Sequence, residues 1–149
     1  MAGYSDTPLV KKLGIKEGSR IALVNPPKSF RRTLGPLPAQ AKVVNQTLDG
    51  LDLILFFVKK ENELAGAFAL LAEKLKPAGM LWMAWPKKSS GVATDLAFNN
   101  VQALGLSAGL VDTKICAVDE VWSGLKFVFR LKDRSRLLQR SKTNSTSPT

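Results

Sequence analysis

The chain contains no histidine and a single cysteine, Cys116. Without imidazole there are no Ser-His or Cys-His nucleophile pairs, no histidine general base and no histidine-containing zinc site. One thiol excludes an internal disulfide and a thiolate zinc site, and agrees with a reducing compartment. No apolar run reaches the roughly 20 residues that a membrane-spanning helix needs, so no membrane partner is expected. The opening stretch MAGYSDTPLVKKLGIKEGS lacks a basic segment followed by an apolar block of about 7–15 residues, which predicts no secretory leader and a cytoplasmic location. Any catalysis would have to use carboxylates, lysines, hydroxyls or a borrowed cofactor, which the sequence does not identify.

What is present suffices for one domain. The chain has 149 residues, 45% of them hydrophobic and 23% charged, which are globular values. Its organising stretch runs from Leu51 to Lys88. Leu53 to Val58 is an unbroken apolar run that needs cover on both faces, as a central parallel strand does. From Glu61 to Lys76, Leu64, Phe68, Leu71 and Leu75 recur at helical spacing, with Pro77 as the stop and Gly79 as the release. Met80 to Trp85 is a second apolar run. Strand, helix and strand joined by short links form a βαβ unit.

Around this unit, Thr7-Pro8 reads as a helix start and Gly14 as its end, a short helix over 8–13. Ile21 to Val24 reads as the first buried strand, closed by Asn25, Pro26 and Pro27. Phe30 to Leu34 suggests a helical turn, and Lys42 to Asn45 a weak edge strand. Pro86 to Gly91 is a loop. Thr94 is a plausible N-cap for a helix reaching Ala108, with an apolar stripe of Ala97, Val101, Leu104 and Ala108 and with Gly109 as the stop. Lys114 to Val118 reads as a strand, Glu120 to Gly124 as a turn holding Trp122, and Leu125 to Leu131 alternates with period 2, as an antiparallel strand does. The expected fold class is α/β: a single Rossmann-like three-layer domain over 1–131, whose mixed, mostly parallel sheet of about six strands ends in an antiparallel hairpin. Residues 132–149 form a basic tail, partly helical and then disordered. The edge strand near Val43 or the alternating final strand offers a way to a homodimer.

Net charge is +10. In the tail, Lys132, Arg134, Arg136, Arg140 and Lys142 stand against Asp133, which places +4 there and leaves +6 for the rest. Such a balance favours anionic partners. In open α/β sheets ligands bind beyond the carboxyl ends of the parallel strands, near the point where strand order reverses. The three strongest strands end in Asn25, in Lys59-Lys60 and in Trp85-Pro86-Lys87-Lys88. Ser89, Ser90 and Gly91 follow, before the expected helix start at Thr94, where free N–H groups and the helix dipole suit an anion. This rim is the candidate ligand site. Trp82 and Trp85 lie three apart and so face opposite sides of a strand, Trp82 into the core and Trp85 toward a possible pocket. Cys116, among apolar neighbours, reads as packing.

Standard cofactor signals are missing. No G-x-G-x-x-G follows the first strand, and Pro26 and Pro27 remove donors that such a loop uses. No P-loop occurs. Asn45, Gln46 and Thr47 stand where an acid would hold a ribose hydroxyl. These losses predict a binding module rather than an enzyme. It would take an anionic small molecule or an acidic protein surface on the rim. The alternatives are a degenerate S-adenosylmethionine-type transferase with Asp95 or Asp112 as base, and weak nucleic-acid binding through the tail and the lysine rim, without a helix-turn-helix or RNP signature.

Several blocks resemble the bacterial domain-of-unknown-function 3052 family: Gly3-Tyr4-Ser5, Thr7-Pro8-Leu9, Lys11 to Ile15, Trp85-Pro86-Lys87-Lys88, Ser90-Gly91-Val92, Thr94-Asp95-Leu96, Gly109 to Asp112, and Val121-Trp122-Ser123-Gly124-Leu125. The likeness covers nearly all of 2–131, and its Trp-Pro-Lys-Lys-Ser-Ser-Gly and Trp-Ser-Gly-Leu blocks are the most specific. It implies a bacterial cytosolic protein and supplies no activity. The order of elements is also similar to an abbreviated Rossmann-type methyltransferase with one middle unit deleted, an analogy of fold only.

Overall fold

The computed structural model describes residues 7–46 and 48–135. Six strands form one sheet: β1 (Arg20–Val24), β2 (Lys42–Val43), β3 (Leu51–Phe57), β4 (Leu75–Pro86), β5 (Leu110–Ala117) and β6 (Trp122–Phe129). Their order is β2-β1-β3-β4-β6-β5. The first four are mutually parallel, while β6 runs antiparallel to both β4 and β5. Four helices cover the sheet: α1 (Leu9–Leu13), α2 (Phe30–Leu34), α3 (Glu61–Ala72) and α4 (Phe98–Ser107).

Alternate side chains of the central strands enter two separate cores, which makes the fold three-layered. On one face Ile54, Phe56, Leu81, Met83 and Trp85 pack with Leu64 and Phe68 of α3 and Val101 of α4. On the other, Leu53, Leu55, Phe57, Trp82 and Ala84 pack with Leu13 of α1 and Phe30 and Leu34 of α2. Trp82 and Trp85 therefore point to opposite sides, as a spacing of three on a strand requires. Trp82 is fully buried and its indole N–H donates to the Leu13 carbonyl at 2.9 Å, tying α1 to the sheet. Gly105 allows α4 to lie directly on Phe127, because a Cβ there would overlap the ring. Phe127 also meets Phe68 edge to face, with centroids 5.1 Å apart.

Several boundaries differ from the sequence reading, each for a tertiary reason. The helix expected to reach Lys76 ends at Ala72, and Leu75 opens β4 instead, paired with Leu51. The next pair is Leu53 with Met80, so Lys76 to Gly79 bulge out of the ladder. Pro77 thus interrupts a strand, where a bulge tolerates its missing N–H. Gly79 fills a tight place: a Cβ would come within 2.9 Å of Leu75 Cδ2 and 3.1 Å of the Leu51 carbonyl. Helix α1 starts at Leu9, with Pro8 in the cap position, and ends as expected at Gly14, whose φ is 87°.

Helix α4 begins at Phe98 rather than Thr94, and Ala108 lies exposed beyond its end. The turn between the last strands is Asp119 to Val121, so Trp122 belongs to β6. Strand β6 lies between β4 and β5, which uses both of its edges. It cannot pair across a dimer; β2 and β5 are the edges. Residues 131–135 are helical, and the rest of the basic tail lies outside the described residues. Among the described residues no helix is long and apolar enough to cross a membrane.

Candidate functional site

Strand order reverses at β1: the chain moves outward to β2 and then returns to β3 on the other side. A cleft of about 480 Å³ opens there, beyond the carboxyl ends of β1 and β3. Val24 pairs with Phe56 and Phe57 with Ala84, so the three strands named in the sequence end side by side. One wall comes from the β1 exit, Asn25 and Pro27, and another from the β3 exit, Phe57, Val58, Lys59 and Lys60. Glu63 of α3, Val92, Val121 and Trp122 complete it.

The β1 exit is sharply bent. Asn25 has φ 55°, a left-handed conformation that asparagine tolerates better than most residues. The next two residues are prolines, so this turn presents no N–H at either, and the Pro27 carbonyl accepts from the Phe30 N–H to start α2. The aromatic wall is rigid: Phe57 stands edge to face with both Phe30 and Trp122, at 4.8 and 5.1 Å. Such pairs add about 0.5–1.5 kcal/mol beyond burial.

Around Lys59 the loop from β4 to α4 is pinned to the β3–α3 joint. Thr94 Oγ1 donates to the Lys59 carbonyl at 2.6 Å, and the Asp95 N–H reaches the same oxygen at 3.3 Å. Asp95 Oδ1 accepts the Glu61 N–H at 2.8 Å, placing a carboxylate on the N-terminus of α3. An acid from a remote loop caps this helix, and the side chain of its own preceding residue, Lys60, does not.

The rim lysines and the loop after them divide into two groups. Asn25, Lys59 and Lys60 come together in the cleft. Trp85 does not; at 5% exposure it packs in the core on the α3–α4 side. Pro86 ends β4 opposite Trp122, and the Lys87 N–H donates to the Val121 carbonyl. Lys88–Ser90 form a 3-10 turn, closed by Gly91 at φ 77°. None of Lys87, Lys88, Ser89, Ser90, Gly91 and Thr94 lines the cleft, to which this loop contributes Val92.

Three amides around Thr94 are also taken by side chains of the loop and helix start. Ser90 Oγ accepts the Val92 N–H, Thr94 Oγ1 the Leu96 N–H and Asn100 Oδ1 the Ala97 N–H. Short polar side chains satisfy their own loop, as Ser, Thr and Asn do at turns and helix starts. The two carboxylates considered as bases are likewise engaged, Asp95 as the cap and Asp112 with the Gln102 amide at 3.2 Å.

The sequence reading missed Glu63 and the aromatic wall. Asp119 is the signal that would have found Trp122: its Oδ1 accepts the Val121 and Trp122 N–H groups, an Asx-type turn that starts β6 three residues earlier than the alternation suggests. Burial raises the Cys116 thiol above its ordinary value, while Lys12 and Lys114 pull it down. Among the described residues no cluster of three or more histidine, cysteine or acidic side chains is placed to hold a metal ion.

The chain has the Rossmann-like fold of S-adenosylmethionine-dependent methyltransferases. Aeropyrum pernix fibrillarin, solved with bound S-adenosyl-L-methionine, superposes with a TM-score of 0.51 at 15% identity over 85% of this chain and 70% of its own. Magnesium protoporphyrin IX methyltransferase from Synechocystis, with bound SAH, gives 0.53 at 11% over 82% and 78%. A possible exported protein from Bordetella parapertussis gives 0.58 at 11% over 81% and 65%. No protein-family model matches the chain, and no curated protein matches it in sequence.

Proposed function

We propose that this chain is a degenerate S-adenosylmethionine-type domain whose β1–β3 cleft binds such a ligand through its amino-acid half. One observation carries the reading: at the reversal of strand order, Lys59 and Lys60 stand with Glu63 around an apolar and aromatic floor. Two ammonium groups and a carboxylate complement a zwitterion, Lys59 or Lys60 taking its carboxylate and Glu63 its ammonium. Phe57 and Trp122 offer ring surface to an apolar chain or a sulfonium. The fold of the solved methyltransferases supports the same placement.

The nucleoside half fits less well. Pro26 and Pro27 stand where such a loop would offer N–H donors, and Asn45 and Gln46 follow β2 where an acid would take the ribose hydroxyls. When bound, S-adenosylmethionine supplies an activated methyl group. This chain's own residues would hold its charged end and keep water from it with Val92, Val121 and Trp122. A place in the bacterial domain-of-unknown-function 3052 family belongs to the same proposal and rests on the Trp-Pro-Lys-Lys-Ser-Ser-Gly and Trp-Ser-Gly-Leu blocks.

Titration calorimetry with S-adenosylmethionine, S-adenosylhomocysteine, adenosine and inorganic phosphate tests it. The first two should bind, adenosine should not, and Lys59→Ala with Lys60→Ala should weaken binding about tenfold or more, roughly 1.4 kcal/mol. Glu63→Gln separates the zwitterion from a simple anion. It should weaken the adenosyl ligands severalfold, whereas tighter binding, or phosphate binding as well as they do, replaces the zwitterion by a plain anion. Retention of label from methyl-labelled S-adenosylmethionine on a component of a cell extract would add transfer to binding.

A further inference from the structure

The face of the sheet that carries α1 and α2 is covered over β1, β3, β4 and the start of β6, where Trp122 and Gly124 are buried, but is exposed at Lys114 of β5 and partly at Lys126 of β6. Lysines gather on the exposed part. Lys126 of β6 pairs directly with Trp82 of β4, which lies on this face, and with Lys114 of β5 on the other side. Directly opposed residues of antiparallel strands share a face, their Cβ atoms about 4.5–5.5 Å apart. Lys114 Nζ donates to the Lys12 carbonyl in the last turn of α1 at 3.1 Å, which brings the helix's own lysine alongside. Lys16, just beyond α1, is close enough to act on Lys126: partial burial, then Lys114 and then Lys16, lower the Lys126 pKa.

Glu17 follows Lys16 in the chain, but among the described residues no carboxylate is ion-paired with the group. Among the described residues the ion pairs join Lys74 to Asp49 and Lys76 to Asp52, and none involves these four lysines. Like charges placed opposite each other on a sheet are destabilising. Gathering four of them without an ion-paired carboxylate leaves a cost that a bound polyanion would relieve.

We propose that Lys12, Lys16, Lys114 and Lys126 form a docking surface for the phosphate backbone of a nucleic acid. The surface spans a helix end and two strands, which suits a row of phosphates better than a single small anion. Lysines on a flat face position a backbone without reading bases. Ile115, the large exposed apolar residue of β5, alternates to the opposite face, so it does not stand beside these lysines to give the apolar contact that a lipid surface would use. Lys126 lies four residues along β6 from Trp122, about 13 Å at the usual strand rise, so this surface is separate from the cleft.

Fluorescence anisotropy with the full chain and a fluorescein-labelled 20-base-pair RNA duplex tests the proposal. Four phosphate contacts at about 0.9 each predict that neutralising all four lysines to glutamine flattens the log–log salt dependence by roughly 3–4. Affinity at low salt should fall at least tenfold. A matched variant with Lys28, Arg31, Arg32 and Lys42 changed to glutamine loses the same charge from the β1–β2 segment, and should lose less than threefold. Circular dichroism melts confirm that both variants fold, and Lys114→Arg with Lys126→Arg should keep the wild-type slope. Equal losses in the two neutralised variants would reduce the effect to net charge and overturn the assignment. An unchanged slope in the four-lysine variant, or tighter binding to phosphatidylserine vesicles than to the duplex, would overturn it too.

Discussion

The two faces of the sheet are covered by helices of different length. On one face α3 and α4, with 12 and 10 residues, reach across the sheet as far as Phe127 of β6. On the other, α1 and α2 have five residues each and stop over the central strands. The well-covered face owes its stability to apolar burial, at about 1.5–3 kcal/mol for each fully buried large side chain. The short-helix face relies on fewer anchors, Leu13, Phe30 and the Trp82 bond to α1, and leaves room for charge. Where helices end, polar chemistry begins: both the cleft and the lysine patch adjoin the short-helix side.

Substitutions should separate the faces. Phe68→Ala removes the α3 anchor against Phe127 and should cost about 3–5 kcal/mol in urea unfolding. A loss as small as that of an exposed α3 residue such as Leu70 would break the contrast. Gly105→Ala drives a methyl into the Phe127 ring and should cost up to about 3 kcal/mol by overpacking. A crystal structure of that variant should show α4 lifted from β6. On the sparse face, Trp82→Phe leaves the Leu13 carbonyl without its indole donor and should cost about 1–2 kcal/mol. Hydrogen exchange should then speed up in α1 and not in α4.

The smallest expected effect is a gain. Lys126→Met removes the like-charge pair with Lys114 and should stabilise by about 0.2–1 kcal/mol at neutral pH. The sign with pH follows from the lowered Lys126 pKa. Between the folded value and the ordinary 10.5, the unfolded chain holds more protons than the folded one, so wild-type stability rises across that window. The advantage of Lys126→Met should therefore be full below the folded pKa and shrink as pH approaches 10.5. Urea melts at pH 7 and pH 10 measure it; an advantage that grows with pH would contradict the assignment.

Much of this architecture can be read from periodicity. The unbroken run from Leu53 to Val58 needs cover on both faces and became a central strand. Leu125, Phe127 and Phe129 alternate and became the antiparallel strand. Leu75 is the exception: its spacing from Leu71 suits a helix, yet pairing with Leu51 makes it strand, because a ladder partner from a distant segment outweighs a local pattern. The site was half legible. Asn25, Lys59 and Lys60 follow from where apolar runs stop, since those stops mark the carboxyl ends of parallel strands. Trp85 was misplaced because a residue next to a strand's end can still lie beneath a helix, and Glu63 was passed over as an ordinary charge in a first helical turn.

By itself the sequence determined the order of strands and helices, that the sheet is mostly parallel, and which chemistries the missing histidine excludes. Those properties depend on local spacing and composition, which a linear chain carries in full. The tertiary structure alone decided that Asp95 caps α3, that Phe57 and Trp122 share a wall, and that Lys114 faces Lys126. Each of these joins residues far apart in the chain or depends on the register between strands, and a one-residue slip in register would send every side chain of a strand to the opposite face.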